Sequence, residues 1–269
     1  MNSSNTIKPF ERKEFALTPV DAADNKIRAL LAQREQNPPP PPPGREAETR
    51  IHTTADFWTI EGVLYRGKVH AVDLAKTLLD NGTAKTQDQW IDYTREARTR
   101  NDFYLPDFPL LHGIVTRLYE QGSQAGVEAI IAQVQAWTRE KWLMTTTRIK
   151  YNKKGQDEVI HNYTLPDEER IDTSFVGPDE WIKGSTTPEA VQVLLGTSQS
   201  MQEINTVYHW LSGTDTYLYK VNTKPSQPDE RVARFYANSD WVYLNCVRVP
   251  QGSDSGLGVR ARKMEGNKK

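Results

Sequence analysis

From Trp241 to Val249 the chain reads WVYLNCVRV, and its side chains fall into two rows of opposite character. Strand side chains alternate between faces with a period of two. Val242, Leu244 and Cys246 therefore share one face, and Trp241, Tyr243, Asn245, Val247 and Val249 share the other. The small aliphatic row suits a core. The fold must then supply an interior on one side of this strand and leave a tryptophan and a tyrosine next to each other on the opposite side.

The rest of the chain says what could surround such a strand. Thr18 and Pro19 form a helix start, with Ile27, Leu30, Leu31 and Arg34 following at helical spacing, and Pro38 to Pro43 stop it. Six consecutive prolines adopt polyproline II, a stiff spacer of roughly 19 Å that also suits SH3-type or WW-type recognition. The body begins near residue 50. "DFWTIEGVLYRGKV" predicts a short strand or hairpin around Gly62 and Gly67, and "HAVDLAKTLLDNG" predicts a helix closed by Asn81 and Gly82. After Pro106 and Pro109, Leu110, Leu111, Ile114, Val115, Leu118 and Tyr119 recur at helical steps, and a second helix over 127–143 turns Ile130, Ile131, Val134, Trp137 and Trp142 inward.

"TTTRIKYNKKGQDEVIHNYTLP" carries two β-rich runs around a Lys-Lys-Gly turn. Two short helices ended by glycine follow, in "TTPEAVQVLLGT" and "MQEINTVYHWLSG". From "TYLYKVNT" to about residue 262 the pattern is one of closely spaced strands. Helices first and a β-rich end after them predict an α+β protein rather than a wound parallel sheet.

Composition narrows the function classes. With 269 residues the chain can bury a sizeable core without staples, and its net charge of -1 gives no global pull toward nucleic acid or anionic lipid. No stretch approaches the roughly 18 apolar residues of a membrane span, and the N-terminus lacks the apolar core of a signal peptide. The expectation is a protein that is neither membrane-inserted nor exported, either cytoplasmic or virion-associated. One cysteine, Cys246, excludes an internal disulfide framework and, by alternation, faces the core rather than a reaction centre. The five histidines, at 52, 70, 112, 161 and 209, show no metal-ligand spacing, and no phosphate-binding loop or nucleophile elbow is present. Asp240 and Asp254 are too isolated for a calcium site. No metal, cofactor or catalytic residue is expected. Arg260, Arg262, Lys263, Lys268 and Lys269 against Glu265 read as a solvated, fraying tail.

The odd-numbered row has company. Tyr236 and Asn238 precede it, and Gln251, Gly252, Asp254 and Gly256 follow in a loop. Tyr, Asn, Ser, Gly and Asp with an occasional Trp is the mixture found in antibody paratopes, where rigid aromatics supply contact area and small polar groups adapt. Trp241 and Tyr243 could equally lie under another element as core.

"DERVARFYANSDWVYLNC" followed by "PQGSDSGLGVR" resembles the C-terminal variable region of diversity-generating retroelement variable proteins, in particular their archaeal and archaeal-virus branch. "NDFYLPDFPLLHGIVTRLY", "REKWLMTTTRIKY", "VIHNYTLPD", "LLGT" and "EINTVYHWLSGTDTYLYKVNTKPS" are similar to the same branch, so the resemblance covers about residues 50–262. It implies a C-type lectin fold, related to that of the formylglycine-generating enzyme, over 46–269. Residues 1–45 would be an N-terminal helix and polyproline linker.

Within a variable region of about 231–262, the resemblance places Val242, Leu244, Cys246, Pro250, Ser253, Ser255, Leu257, Gly258 and Val259 in the framework. Tyr236, Asn238, Trp241, Tyr243, Asn245, Val247, Val249, Gln251, Gly252, Asp254 and Gly256 fall at diversified, ligand-binding positions, and Arg248 is assigned to neither group, since it sits on the even register. The function implied is non-enzymatic: display of a hypervariable surface that binds a protein or cell-surface ligand. A formylglycine-generating oxidase and a tethered structural or interaction protein are the alternatives. The first of these needs a pair of cysteines where this chain has one.

Overall fold

The computed structural model describes residues 51–122, 124, 126–237 and 241–263. The expected N-terminal helix, the proline run, Asn238, Lys268 and Lys269 lie outside the described residues. The elements run β1 (Ile51–Thr53), β2 (Phe57–Tyr65), β3 (Lys68–Ala75), α1 (Gln87–Thr99), α2 (Phe108–Glu120), α3 (Val127–Glu140), β4 (Leu143–Tyr151), β5 (Asp157–His161) and β6 (Glu169–Thr173). They continue with β7 (Glu180–Trp181), α4 (Pro188–Leu195), α5 (Met201–Ser212), β8 (Thr216–Tyr219), β9 (Asp229–Ala237), β10 (Val242–Arg248), β11 (Ser255–Gly256) and β12 (Val259–Lys263). Helices and strands segregate along much of the chain, and the protein is α+β.

Two sheets organise it. The smaller has the order β1-β2-β3-β12, and the larger β6-β5-β4-β9-β10-β8-β7 with β11 beside β4. β8 runs parallel to β10, whereas β9 pairs antiparallel with both β4 and β10. The β2/β3 hairpin turns on Arg66 and Gly67, both at positive φ (48° and 69°), the conformation a two-residue type I′ turn requires.

The helices form where local signals and an apolar stripe coincide. Thr86 and Gln89 make a reciprocal capping box at the start of α1, and Asp107 caps α2 by accepting from the Leu110 N–H. α4 and α5 end at Gly196 and Gly213, both left-handed. Leu110, Leu111, Ile114, Val115 and Leu118 of α2 are buried in the main core with Ile204, Val207, Tyr208 and Leu211 of α5. Tyr208 meets Phe235 of β9 at 5.7 Å between ring centroids, which seats α5 against the inner face of the larger sheet. Among the described residues no helix is long and apolar enough to cross a membrane.

Three readings of the sequence need correction. Residues 70–82 form no α-helix: His70–Ala75 belong to β3, and only a 3-10 turn, Leu79–Gly82, follows. The apolar spacing there fits either structure, but β3 lies between β2 and β12 and bonds to both, and those ladders outweigh helix propensity. α3 ends at Glu140, because Lys141 is already extended (φ -138°, ψ 141°), so Trp142 leads into β4 and is not part of a helix face. The basic tail is not solvent-bathed throughout. Arg260 and Arg262 in β12 both bind the fully buried Asp73 of β3, each at 2.9 Å.

Candidate functional site

Strand pairing brings together aromatic residues that are far apart in sequence. Tyr243 of β10 stands opposite Tyr236 of β9 on one side and Tyr217 of β8 on the other. Tyr217 in turn faces Trp181 of β7. Leu143 opposes Phe235, so Trp142, one residue earlier, falls level with Tyr236. Directly opposed residues point to the same side of a sheet. Trp142, Tyr236, Tyr243, Tyr217 and Trp181 therefore form one transverse row, four strand spacings or about 19 Å long.

Trp241 and Tyr219 flank that row. The Trp181 and Trp241 rings lie 5.7 Å apart at 20°, and Trp241 and Tyr243 5.8 Å apart at 10°. Tyr236 continues the nearly parallel series at 6.1 Å from Tyr243, and Trp142 sits 4.9 Å from Tyr236. Tyr217 breaks it, standing edge-on to Trp181 at 4.9 Å and 76° and to Tyr219 at 5.1 Å and 71°. Parallel rings at these separations are too close to lie flat side by side, so they overlap with an offset and turn edges outward. Trp181 and Trp241 remain 43% and 42% exposed, which makes this an open face rather than a second core.

Beneath the row the other face is closed. Val242, Leu244, Cys246, Phe235 and Leu218 are all 0% exposed. Each fully buried side chain of this size contributes about 1.5–3 kcal/mol. The inner face therefore carries a sealed aliphatic layer beneath the aromatic one. Burial pushes the Cys246 thiol up, away from the thiolate that a nucleophile or metal ligand requires.

The positions expected to contact ligand separate into two groups. Tyr236, Trp241 and Tyr243 come together in the row. Val249 and Gln251 are exposed and Val247 and Gly252 half-buried at the end of β10 and in the loop after it, while Asn238 lies outside the described residues. Asn245, Asp254 and Gly256 need correcting as surface positions. Asn245 is on the aromatic side but only 6% exposed, its Oδ1 accepting from Arg234 Nε at 3.4 Å and from the Val247 N–H at 3.3 Å.

Asp254 is drawn inward by two arginines. Arg234 reaches it at 3.1 Å and Arg248 at 3.7 Å, and the Arg234 guanidinium also lies 3.9 Å over the Trp142 ring. Burial pushes the Asp254 carboxyl up despite both cations, and pulls Arg234 down. The Asp254 carbonyl accepts from Trp90 Nε1 at 2.9 Å, and its backbone exchanges hydrogen bonds with Lys85. Gly256 is buried, and a Cβ there would come within 2.9 Å of Leu105 and 3.1 Å of Trp90. Asp254 and Gly256 are built into a corner covered by α1, and Asn245 is tied to it through Arg234.

A bulge explains Arg248. The β9/β10 register shifts by one residue between Asn245 and Arg248, so that Arg248 opposes Val232. A one-residue insertion exchanges the two faces beyond it. Arg248 accordingly joins Arg234 on the aromatic side even though its number places it with the core row, and Val249, the next residue, leaves the face that its odd number predicts.

Sequence reading missed Trp142, Trp181, Tyr217 and Tyr219 as members of the face. Only Tyr217 and Tyr219, at alternate positions in "TYLY", carried a local signal. Among the described residues no group of three or more His, Cys, Asp or Glu could hold a metal ion. No family model matches the chain, and no curated protein or solved structure matches it either.

Proposed function

We propose that this is a non-enzymatic binding protein whose aromatic sheet face docks a protein or cell-surface ligand. One observation carries the reading: Trp241 and Tyr243 stand in an open aromatic row over the sealed side chains of Val242, Leu244 and Cys246. Side chains on the open row can change at little cost, since most surface substitutions shift stability by no more than about 0.5 kcal/mol. Aromatic side chains with few rotatable bonds also make strong anchors, and hot spots are enriched in Trp and Tyr.

This division suits a surface rewritten by a diversity-generating retroelement on a C-type lectin-like scaffold, with Tyr236, Trp241, Tyr243, Val247, Val249 and Gln251 as its varied contacts. The DNA flanking the coding region tests it. The expected finding is a reverse transcriptase gene and a near-copy of the codons for about residues 231–262 that differs only at adenines. Flanking DNA without such a repeat would remove the retroelement and leave a binding face of fixed sequence. The oxidase alternative draws nothing from Cys246, which is sealed beneath the strand and held as the thiol.

A further inference from the structure

We propose that Arg248 is the charged anchor of the docking face and binds the carboxylate of an aspartate or glutamate side chain in a protein ligand. The inference rests on reading the aromatic face as a docking surface, and it names the group that docks beside the row.

Three arginines stand beyond the row on this side of the larger sheet, and two of them are engaged by the fold. Arg148 gives Nε to Gln87, one terminal nitrogen to Glu230 and the other to Asp88. Arg234 gives Nε to Asn245 and one terminal nitrogen to both oxygens of Asp254, at 3.2 and 3.1 Å. Arg248 donates no hydrogen bond among the described residues. Its ion pair there is with Asp254, 3.7 Å from Nε, and Arg234 already holds that carboxylate more closely. A guanidinium has five N–H donors and no acceptor, so this fork takes its partners from water or from a ligand.

The fork is open at its tip and pinned at its root. The bulge in β10 turns Arg248 to the aromatic side and sets it opposite Val232, which is fully buried. Its Nε is buried, whereas the side chain as a whole is 38% exposed. Gly252 lies directly against it, and a Cβ there would collide with Nε and Cζ. The Gly252 N–H bonds to the Val249 carbonyl at 3.0 Å, which fixes the turn beside the guanidinium. A planar fork already held in place loses little freedom when it binds.

A carboxylate suits this fork better than the other groups a ligand could bring. Guanidinium and carboxylate match in plane and spacing, and such charge-assisted pairs are roughly twice as strong as neutral hydrogen bonds. A sugar hydroxyl or a peptide carbonyl would displace water and leave the charge unmatched. A phosphate carries close to two charges and is gripped by clusters of arginines. Here the other two arginines are occupied by carboxylates of the fold. The sheet also sets a spacing. Val232 lies four residues from Tyr236 along β9, so Arg248 stands about 13 Å from the Tyr236–Tyr243 pair. The acidic residue of the ligand is therefore expected about four extended residues from the apolar side chain that rests on that pair.

Panning a random peptide library on the full chain, followed by fluorescence anisotropy of the enriched peptides, tests this. Enriched clones should carry Asp or Glu at that spacing from an aromatic or large apolar residue. Arg248→Gln should weaken them about tenfold. Exchanging the peptide's Asp for Asn, or Glu for Gln, should weaken binding to the parent by the same factor and change nothing further against Arg248→Gln. Gly252→Ala, which pushes the guanidinium aside but keeps its charge, should weaken binding severalfold. Circular dichroism verifies that each variant is folded. Acidic clones whose binding neither Arg248→Gln nor Gly252→Ala alters overturn the inference. Acidic clones that need both Arg248 and Trp241 support both proposals, and those that need Arg248 alone uphold the anchor and overturn the aromatic row. Clones without an acidic residue that are lost with Trp241→Ala keep the docking face and overturn the carboxylate anchor. Clones indifferent to both residues, or no enrichment at all, overturn both.

Discussion

The same two strands, β9 and β10, build two regions on one side of the larger sheet, and the regions differ in nearly every physical respect. Around Tyr236 and Tyr243 the side chains are aromatic, stand on a sealed aliphatic layer and remain partly open. A few residues along, Arg234, Asn245, Arg248 and Asp254 form a polar corner under α1, closed by Trp90, Leu105, Met144 and Val232. Alternation brings Arg234 and Asn245 to this side just as it brings Tyr236 and Tyr243, and the bulge adds Arg248. What differs is whether another element lies on top. A side chain's freedom to vary is thus set by its cover, and the face it occupies on the strand does not decide it.

The comparison can be broken first at its covered end. Trp90 is fully buried and donates to the Asp254 carbonyl, so Trp90→Ala removes both a large side chain and a hydrogen bond. Urea unfolding should register a loss of about 4 kcal/mol, and a loss below about 1 kcal/mol would mean that the corner is not built in. Arg234→Ala should cost about 3 kcal/mol, because Asp254 then keeps only its longer pairing with Arg248 in a buried setting. A neutral result would place Asp254 back among freely variable positions.

The third prediction separates both regions from the scaffold they share. His112 on α2 is buried between the Tyr208 hydroxyl, 3.2 Å away, and Gln199 Oε1, 2.9 Å away. Burial lowers its pKa to about 4, with Gln199 opposing weakly. The fold therefore prefers the neutral ring, and the unfolded chain binds a proton first as pH falls below about 6.5. Stability from this group is complete above that pH and declines as pH drops toward about 4, by roughly 3 kcal/mol in all. Denaturation midpoints across this window should show that slope in the parent and a flatter one in His112→Gln. Equal slopes would locate the titration elsewhere.

The smallest effect belongs to the open row. Trp241→Ala and Tyr243→Ser should each change stability by no more than about 1 kcal/mol, since they remove ring contacts from a surface whose underlying layer is intact. Melting curves check this. A loss of several kcal/mol in either variant would show that the row is structural, and the docking proposal would fall with it.

Parts of this design were legible before any coordinates. Val242, Leu244 and Cys246 declare the inner face by period two, and α2, α4 and α5 follow from apolar spacing bounded by Pro109, Pro188, Gly196 and Gly213. α1 went unread although Thr86 and Gln89 spell its capping box, because its stripe of Trp90, Ile91, Thr94 and Ala97 is sparse among charged residues. Residues 70–82 were misread because a short apolar run fits helix and strand alike. Trp142 reads as inward because the helical pattern runs on to residue 143, three residues past the helix end at Glu140.

Sequence by itself determined the alternating rows from Trp241 to Asn245, the helices α2, α4 and α5, and the aromatic and small polar stock available to a surface. These are local properties, governed by backbone geometry and by side-chain spacing of two or 3.6 residues. Tertiary structure alone decided that Trp142, Trp181 and Tyr217 would join Tyr236 and Tyr243, that a bulge would turn Arg248 outward, and that α1 would cover Asp254 and Gly256. Those outcomes depend on which distant strands pair and in what register, and no local pattern encodes a pairing energy shared between segments roughly a hundred residues apart.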